Sequence, residues 1–187
     1  MAQKRKDWNG LISGFKASDL VFLDESGCNT DMTRRYAYSL GGSRAVDSAP
    51  LSKPKNTTIL SSIQLDGTLR YTTFSGGTTV ERFKRYLEID LLPHLNGNSV
   101  LIMDNMKSHH AKAVRNLLDS SGVRYIYLPP YSPDLNPIEK LWSKVKAFLR
   151  KFKARTLDAL PNAIQNAFHS VTISDCSGWF RFCGYAL

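Results

Sequence analysis

LPPYSPDLNPIEKLW, residues 128–142, places four prolines in a short polar loop immediately before an amphipathic segment. Each proline fixes its own φ angle, so the chain is already stiff where the helix begins. Apolar side chains then recur at helical spacing from Ile138 to Phe152, which predicts a long helix with Glu139 in its first turn. We therefore expect the loop to aim Glu139 at other functional groups.

The local sequence also supports a purely structural role for Glu139. Asn136 is a good N-cap, Pro137 suits the first helical position, and Glu139 falls at the third position. A glutamate there satisfies free backbone N–H groups in a capping box. Considered alone, capping is the stronger interpretation of this residue.

The segments on either side of the loop predict a mixed α/β fold. The strand-like segments of the first half are LVFLDES (20–26), RRYAYSL (34–40), TTILSSIQLD (57–66) and TLRYTTFSG (68–76). Asp66-Gly67 is a hairpin signal, so we expect an antiparallel meander. Helix and strand then alternate over 80–95, 99–105, 109–119 and 123–129, and further helices are predicted over 156–170 and 173–183. This order predicts a mixed sheet flanked by helices.

Two acids stand where hydrophobic strands end. Asp24 and Asp104 each follow four apolar residues. Functional sites gather at the carboxyl ends of strands in open α/β sheets, so the two carboxylates converge if their strands are neighbours. Close carboxylates repel each other unless a cation neutralises them, and oxygen ligands suit magnesium or manganese. Turn formation, with Glu25 and Ser26 or with Asn105, is the structural alternative for each acid.

The composition favours a basic, single-domain protein. The 187 residues carry a net charge of +9, which favours nucleic acid or another polyanion as partner. No run of 18 apolar residues and no apolar signal region occurs, so we expect neither a membrane partner nor secretion. The three scattered cysteines, Cys28, Cys176 and Cys183, are interpreted as reduced packing thiols. Two strand-end acids, a third acid on a stiffly started helix and a basic chain together predict a metal-dependent nuclease.

Four motifs carry a resemblance to a known family. They are FLDES (22–26), NTDMTRRYAYSLGG (29–42), LIMDNMKSHH (101–110) and LPPYSPDLNPIEKLW (128–142). In these motifs the chain resembles the catalytic domain of DDE transposases of the mariner superfamily, and most closely the bacterial insertion-sequence 630 group. The resemblance runs from about residue 18 almost to the C-terminus, and the thirty-four residues between Asp104 and Glu139 match the spacing of that group.

The resemblance implies a ribonuclease H-like fold with a central five-stranded sheet. It implies that Asp24, Asp104 and Glu139 are catalytic and bind two Mg²⁺ ions, which Mn²⁺ replaces. It further implies cleavage of double-stranded DNA at transposon ends and joining of the 3′-hydroxyl to target DNA, with a dimer assembled on DNA. The expected location is the bacterial cytoplasm, on the nucleoid when DNA is bound.

The chain departs from full-length relatives at its N-terminus. Those relatives carry helix-turn-helix modules that recognise the transposon ends. Here residues 1–18 are interpreted as a short helix or arm, and residues 19–187 as the catalytic domain. The chain is therefore interpreted as a catalytic fragment, the second product of a split reading frame or a stand-alone remnant, and a separate N-terminal DNA-binding polypeptide is one candidate partner. We expect salt-sensitive, largely non-specific DNA binding by this chain.

Six residues are candidates for DNA contact. Lys146, Arg150 and Lys153 share the flank of Glu139 on a helical wheel and suggest a phosphate track, with a solvated charged face as the alternative. Arg34 and Arg35 fall within a family motif. His109 follows Asp104 by five residues and is predicted to contact the scissile phosphate, to help proton transfer, or to start a helix without a catalytic role. Trp142 lies on the apolar stripe and is predicted to belong to the core.

Two other functions are compatible with these features. A ribonuclease H-like nuclease or resolvase would cut without strand transfer, and fold alone does not separate it from a transposase. A non-catalytic DNA-binding or assembly module derived from a transposase is a different class, and its expected sign is a lost acid. All three acids are present.

Overall fold

One mixed five-stranded sheet forms the centre of the molecule. The computed structural model describes residues 2–34, 36–48, 50 and 54–185. Its strands are β1 (Leu20–Cys28), β2 (Thr57–Gln64), β3 (Leu69–Ser75), β4 (Val100–Met103) and β5 (Arg124–Tyr127). They lie in the order β3-β2-β1-β4-β5. The pairs β1–β2 and β2–β3 are antiparallel, whereas β1–β4 and β4–β5 are parallel. The predicted mixed sheet is thereby confirmed.

Six α-helices accompany the sheet in the described part of the chain. They are α1 (Ala2–Ile12), α2 (Val80–Arg85), α3 (Lys112–Ser121), α4 (Ile138–Phe152), α5 (Ala159–His169) and α6 (Ile173–Phe182). The segment predicted as one helix over 80–95 is irregular, because α2 continues as a π-helix, Tyr86–Leu91, and a 3₁₀ turn, Leu92–His94. Within the described residues, no helix combines the length and apolarity that crossing a membrane requires.

Alternate residues of β1 pack into two hydrophobic layers, one on each face of the sheet. Leu20 and Phe22 pack on one face with α4, α5 and α6. Val21 and Leu23 pack on the other face with α2 and α3. This two-residue period is that of a strand whose faces are both buried. It places β1 at the centre of the fold, where its position is fixed from both sides.

The turn signals of the sequence are confirmed. Gly67 has a φ of +88°, and the backbone N–H of Thr68 donates to Asp66 Oδ1 at 2.8 Å, which closes the β2–β3 hairpin. Gly122 ends α3 with a φ of +70°, a left-handed conformation that glycine adopts without steric cost. Local turn chemistry is sufficient at both positions.

The predicted strand over 34–40 is wrong. The described residues of this segment have no regular structure, and Tyr36, Tyr38 and Leu40 are exposed. Both edges of β1 are already occupied, by β2 and β4, so the segment that follows β1 has no place beside it. A strand-like composition does not provide a pairing partner.

Burial confirms the interpretation of the cysteines and shows how the N-terminal helix is attached. The three cysteines are free and buried, as expected for packing thiols. In the N-terminal arm, Trp8 on α1 is only 4% exposed and packs against the larger hydrophobic layer. The arm therefore docks on the core through this tryptophan.

Candidate active site

The two strand-end acids lie side by side because their strands are neighbours. In the parallel β1–β4 pair, Leu23 stands opposite Met103. Asp104 is the first residue after β4, and the next residue of β1 is Asp24, so both acids lie at the carboxyl end of the parallel β1–β4 ladder. The prediction that the strand of Asp24 ends there is wrong, because β1 continues to Cys28 in its antiparallel pairing with β2. The sequence predicted that the two carboxylates converge if their strands are neighbours, and in the fold the strands are neighbours.

Asp24 is a buried carboxylate with a shifted pKa. It is 9% exposed, and its Oδ2 accepts a hydrogen bond from Trp142 Nε1–H at 3.1 Å. Burial raises the pKa of Asp24 to about 7, with smaller contributions from the nearby charges of Asp104 and Glu25, against the lowering effect of its hydrogen bonds. A carboxylate in this setting gains strongly from a nearby cation.

Asp104 is more open and is held by directed donors. Its Oδ1 accepts from the backbone N–H of Met106 at 3.0 Å and lies 2.8 Å from His109 Nδ1. Burial alone would raise the pKa of Asp104, but the hydrogen bonds from His109 and Met106 outweigh it and hold this pKa below its usual value. The Met106 contact is the turn chemistry expected of Asp-Asn, so the structural and functional interpretations of Asp104 coexist.

His109 is buried between two carboxylates. Its Nε2 lies 3.2 Å from Glu25 Oε2, opposite the contact of Nδ1 with Asp104. Burial by itself lowers the pKa of His109, but the two hydrogen bonds outweigh it and raise the pKa to about 9. The side chain has no exposed surface, so the predicted contact of His109 with DNA is corrected: the ring faces protein groups.

Glu139 is not used as a helix cap. α4 begins at Ile138 with Pro137 as N-cap residue and no side-chain cap hydrogen bond. The backbone N–H of Glu139 instead bonds to the Asn136 carbonyl at 3.1 Å. The capping interpretation is therefore wrong, and the exposed carboxylate of Glu139 is left for another purpose.

The proline loop is fastened at several points. Asn105 Nδ2 donates to the Leu128 carbonyl at 2.5 Å, and Tyr185 Oη donates to the Leu135 carbonyl at 2.6 Å. Arg5 on α1 forms a salt bridge with Asp134 in the same loop. Hydrogen bonds at both ends thus supplement the stiffness of the prolines and fix the start of α4.

All three acids line one cavity of about 440 Å³. Residues 128–133 of the proline loop also line this cavity, together with Asn105, Met106 and Asn136. Asp24 comes from β1, Asp104 from the end of β4 and Glu139 from the first turn of α4. Three separate elements thus bring their carboxylates to a common space open to solvent.

A protein-family model matches the part of the chain that carries the three acids. The model of the DDE superfamily endonucleases matches residues 19–161, which is more than half of the chain and includes all three acids. The chain belongs to the DDE superfamily of endonucleases. The match begins just before β1 and includes the whole five-stranded sheet and α4 of this DDE endonuclease.

Known proteins share both sequence and fold with this DDE endonuclease. The Tc1 transposase of Caenorhabditis elegans is 32% identical over 83 residues, which is 44% of this chain and 30% of that protein. The paired-end complex of Mos1 transposase with the left transposon end has a TM-score of 0.80 at 19% identity, over 95% of this chain and 57% of that one. A Mos1 mariner paired-end complex with Mn gives 0.75 at 20% identity, over 95% and 57%. The chain therefore spans little more than half of the Mos1 protein in these complexes. It also matches the crystal structure of the catalytic domain of Mos1 mariner transposase, with a TM-score of 0.73 at 17% identity over 96% of this chain and 85% of that one, and it has the ribonuclease H-like fold of that domain.

The site chemistry fits a hard divalent cation. Every candidate ligand is an oxygen, the ligand type that Mg²⁺ and Mn²⁺ prefer. Asn136 lines the same cavity and is 4% exposed, and its Oδ1 is buried without a hydrogen-bond partner. In the part of the chain that the structure describes, no three His, Cys, Asp or Glu side chains are close enough to form a metal-binding group. The three acids therefore line one cavity without being close enough to form a ready-made site, and the fit to a cation rests on donor chemistry, three carboxylates and the unpaired amide oxygen of Asn136.

Three of the remaining candidate DNA contacts, Arg34, Lys146 and Arg150, line two surface grooves. Lys146 and Arg150 line a shallow polar pocket beside the end of β1. Arg150 also joins Arg34 in an open groove that Tyr36 and Phe148 complete. Lys153 lies just beyond α4, with a φ of +56°, and its ammonium group bonds to Asp47 at 2.6 Å. Arg35 lies outside the described residues.

Sequence reasoning missed three contributors to the site. Trp142 is buried in the core as expected, but it also donates to Asp24. Glu25 and Asn136 were interpreted as a turn residue and a helix cap, whereas Glu25 contacts His109 and Asn136 lines the cavity. Only the adjacency of Glu25 to Asp24 in the chain hinted at its place.

Proposed function

We propose that this chain is the catalytic domain of a transposase that cuts DNA at transposon ends and joins the freed 3′-hydroxyl to target DNA. The observation that carries the proposal is the convergence of Asp24, Asp104 and Glu139 on one cavity from three elements. Membership in the DDE endonucleases supports DNA cleavage. The named Tc1 and Mos1 relatives are transposases, which supports the transfer step.

In this proposal Asp24, Asp104 and Glu139 hold two Mg²⁺ ions, with Mn²⁺ as a substitute; the manganese bound in a Mos1 complex supports the use of a divalent metal. Such ions lower the pKa of an attacking water or hydroxyl and stabilise the leaving oxygen. The chain's own residues arrange the ligands: Trp142 holds Asp24, Met106 and His109 hold Asp104, and the proline loop sets the direction of α4. Basic side chains beside the site then orient the DNA backbone.

Partners and context follow from the same proposal. The chain acts on double-stranded DNA, as a dimer on paired ends, consistent with the Mos1 paired-end complexes. Its finer placement is the bacterial insertion-sequence 630 group, with a location on the nucleoid in the cytoplasm. Residues 1–18 serve as an arm and 19–187 as the catalytic domain.

The test is plasmid nicking. Supercoiled DNA is incubated with the chain and Mg²⁺ or Mn²⁺, in parallel with Asp24→Asn, Asp104→Asn and Glu139→Gln. Asp158→Asn, an exposed acid before α5, is the matched control. We expect nicking by the parent and the control, and none by the three site variants. Nicking that survives in the site variants would contradict the proposal.

A second readout separates transposase from nuclease. The chain receives a pre-cut DNA end with a 3′-hydroxyl and a supercoiled target, and joined products are sequenced. Joining supports strand transfer. Cutting without joining would favour a ribonuclease H-like nuclease or resolvase, and metal binding without either reaction would favour the non-catalytic module.

A further inference from the structure

His109 is fixed from several directions in a loop between β4 and α3. Its ring stacks on Phe83 of α2 with 4.2 Å between centroids, and the ring is fully buried. Its backbone carbonyl accepts a hydrogen bond from Tyr127 Oη at 2.9 Å. The imidazole therefore occupies a defined position rather than a mobile surface one.

Two carboxylates face opposite edges of this ring. Nδ1 lies 2.8 Å from Asp104 Oδ1, and Nε2 lies 3.2 Å from Glu25 Oε2. With a proton on each nitrogen, the ring donates to both acids at once. Rotation about the side chain would break both contacts, so each carboxylate limits the freedom of the ring.

Glu25 follows Asp24 in β1, and its side chain lies on the opposite face of the sheet. Successive strand residues point to opposite faces. Asp24 meets Trp142 of α4, whereas Glu25 meets His109, which packs on α2. Glu25 Oε1 is buried without a partner, a costly arrangement for a carboxylate and one that points to a role for this side chain.

We propose that Glu25 and His109 form a positioning pair for Asp104. Glu25 fixes the imidazole, and the imidazole fixes Asp104 Oδ1, so that Oδ2 is the oxygen presented to a cation. Neither member of the pair touches the ion or the DNA. This inference rests on the proposed function, because it takes Asp104 to be a metal ligand. Hydrogen bonds behind a ligand commonly set its orientation, and their loss weakens metal affinity or activity roughly 10- to 100-fold.

The alternative is a purely structural role, in which His109 only fills space beside Phe83. Two substitutions separate these roles. In His109→Asn the side-chain amide replaces Nδ1 and keeps a donor for Asp104, but the smaller side chain leaves a larger void. In His109→Gln the amide reaches the place of Nε2, fills more space and loses the donor to Asp104. If His109 only fills space, His109→Gln should resemble the parent more closely. If His109 positions Asp104, His109→Asn should resemble the parent more closely.

The experiment is calorimetric titration of Mn²⁺ into the full chain without DNA, accompanied by thermal unfolding. We expect His109→Gln to bind Mn²⁺ about 10- to 100-fold more weakly than the parent, and His109→Asn to stay within about threefold. Glu25→Gln, which keeps an acceptor but loses the charge, should weaken binding about three- to tenfold. His169→Asn, an exposed histidine at the end of α5, is the matched control and should bind as the parent does.

Each other outcome has a definite meaning. Unchanged affinity in His109→Gln, or a greater loss in His109→Asn, would overturn the positioning pair while leaving the metal site intact. If both histidine variants fail to fold, Glu25→Gln decides, and unchanged affinity there overturns the proposal. A parent that binds Mn²⁺ as expected but nicks no DNA would sink the proposed function alone. A parent that binds no Mn²⁺ would remove both.

Discussion

The indole N–H of Trp142 donates to Asp24 Oδ2 over 3.1 Å and so ties α4 to the central strand of the sheet. The two residues are 118 positions apart in the chain. The helix that carries Glu139 is thus joined directly to another acid of the cavity. One hydrogen bond connects the position of two of the three carboxylates.

Replacement of Trp142 by phenylalanine tests this bond. Trp142→Phe keeps an aromatic ring in the core but removes the donor to Asp24. The free energy of unfolding should fall by about 1–3 kcal/mol at pH 8, where Asp24 is ionised, and by less at pH 5, where it is protonated. Urea unfolding in EDTA at both pH values measures the difference. Trp179→Phe, on α6 and partly buried against the same layer, should cost the same at both.

Removal of the buried charge tests the environment of Asp24. Its pKa is about 7 in the folded chain against an ordinary value of 3.8, so the folded state retains a proton that the unfolded state releases between those values. Because His109 keeps its proton to about pH 9, the total stability of the parent continues to fall above pH 7. The part due to Asp24 should fall as pH rises from about 4 to 7 and be constant above that. Asp24→Asn should lack this fall and be roughly 2–4 kcal/mol more stable than the parent at pH 8 in EDTA. A parent whose stability rises over this window would contradict the buried, uncompensated carboxylate.

Glu139 should matter for activity and not for stability. Because α4 has no side-chain cap, Glu139→Gln should change the free energy of unfolding by less than about 0.5 kcal/mol while abolishing nicking. Thr172→Ala is the contrasting control, since Thr172 and Asp175 form a complete capping box on α6. Its loss should cost about 1 kcal/mol and leave nicking intact. Unfolding of Glu139→Gln at room temperature would refute this division of roles.

DNA binding should be electrostatic and weakly sequence-dependent. Fluorescence anisotropy with a short duplex should show affinity falling linearly with salt on logarithmic axes. Arg150→Gln, in the grooves beside β1 and α4, should reduce that slope by about one. Lys84→Gln is the control, because Lys84 lies on α2 across the sheet and pairs with Glu88. Tight binding to one particular sequence at physiological salt would contradict the expectation.

Much of the fold was open to prediction because its signals are local. The apolar run of β1, the helical period of α4 and the Asp66-Gly67 turn each depend on neighbours in the chain. The segment over 34–40 has an equally strand-like composition but no strand to pair with, since β2 and β4 occupy both edges of β1. Strand pairing depends on the topology of the whole sheet, so the local sequence pattern does not predict whether a segment finds a partner strand.

The sequence by itself determined the candidate acids, the stiff loop before α4 and the basic character of the chain. Only the tertiary structure decided that β1 and β4 are neighbours, and therefore that Asp24 and Asp104 meet. It also showed that Glu139 does not cap α4. His109, predicted to contact DNA, is instead buried between Asp104 and Glu25, and Glu25 is 84 positions away in the chain. The physical reason is range: dihedral preferences and periodicity act over a few residues, whereas hydrogen bonds between distant side chains exist only once the chain topology brings them together.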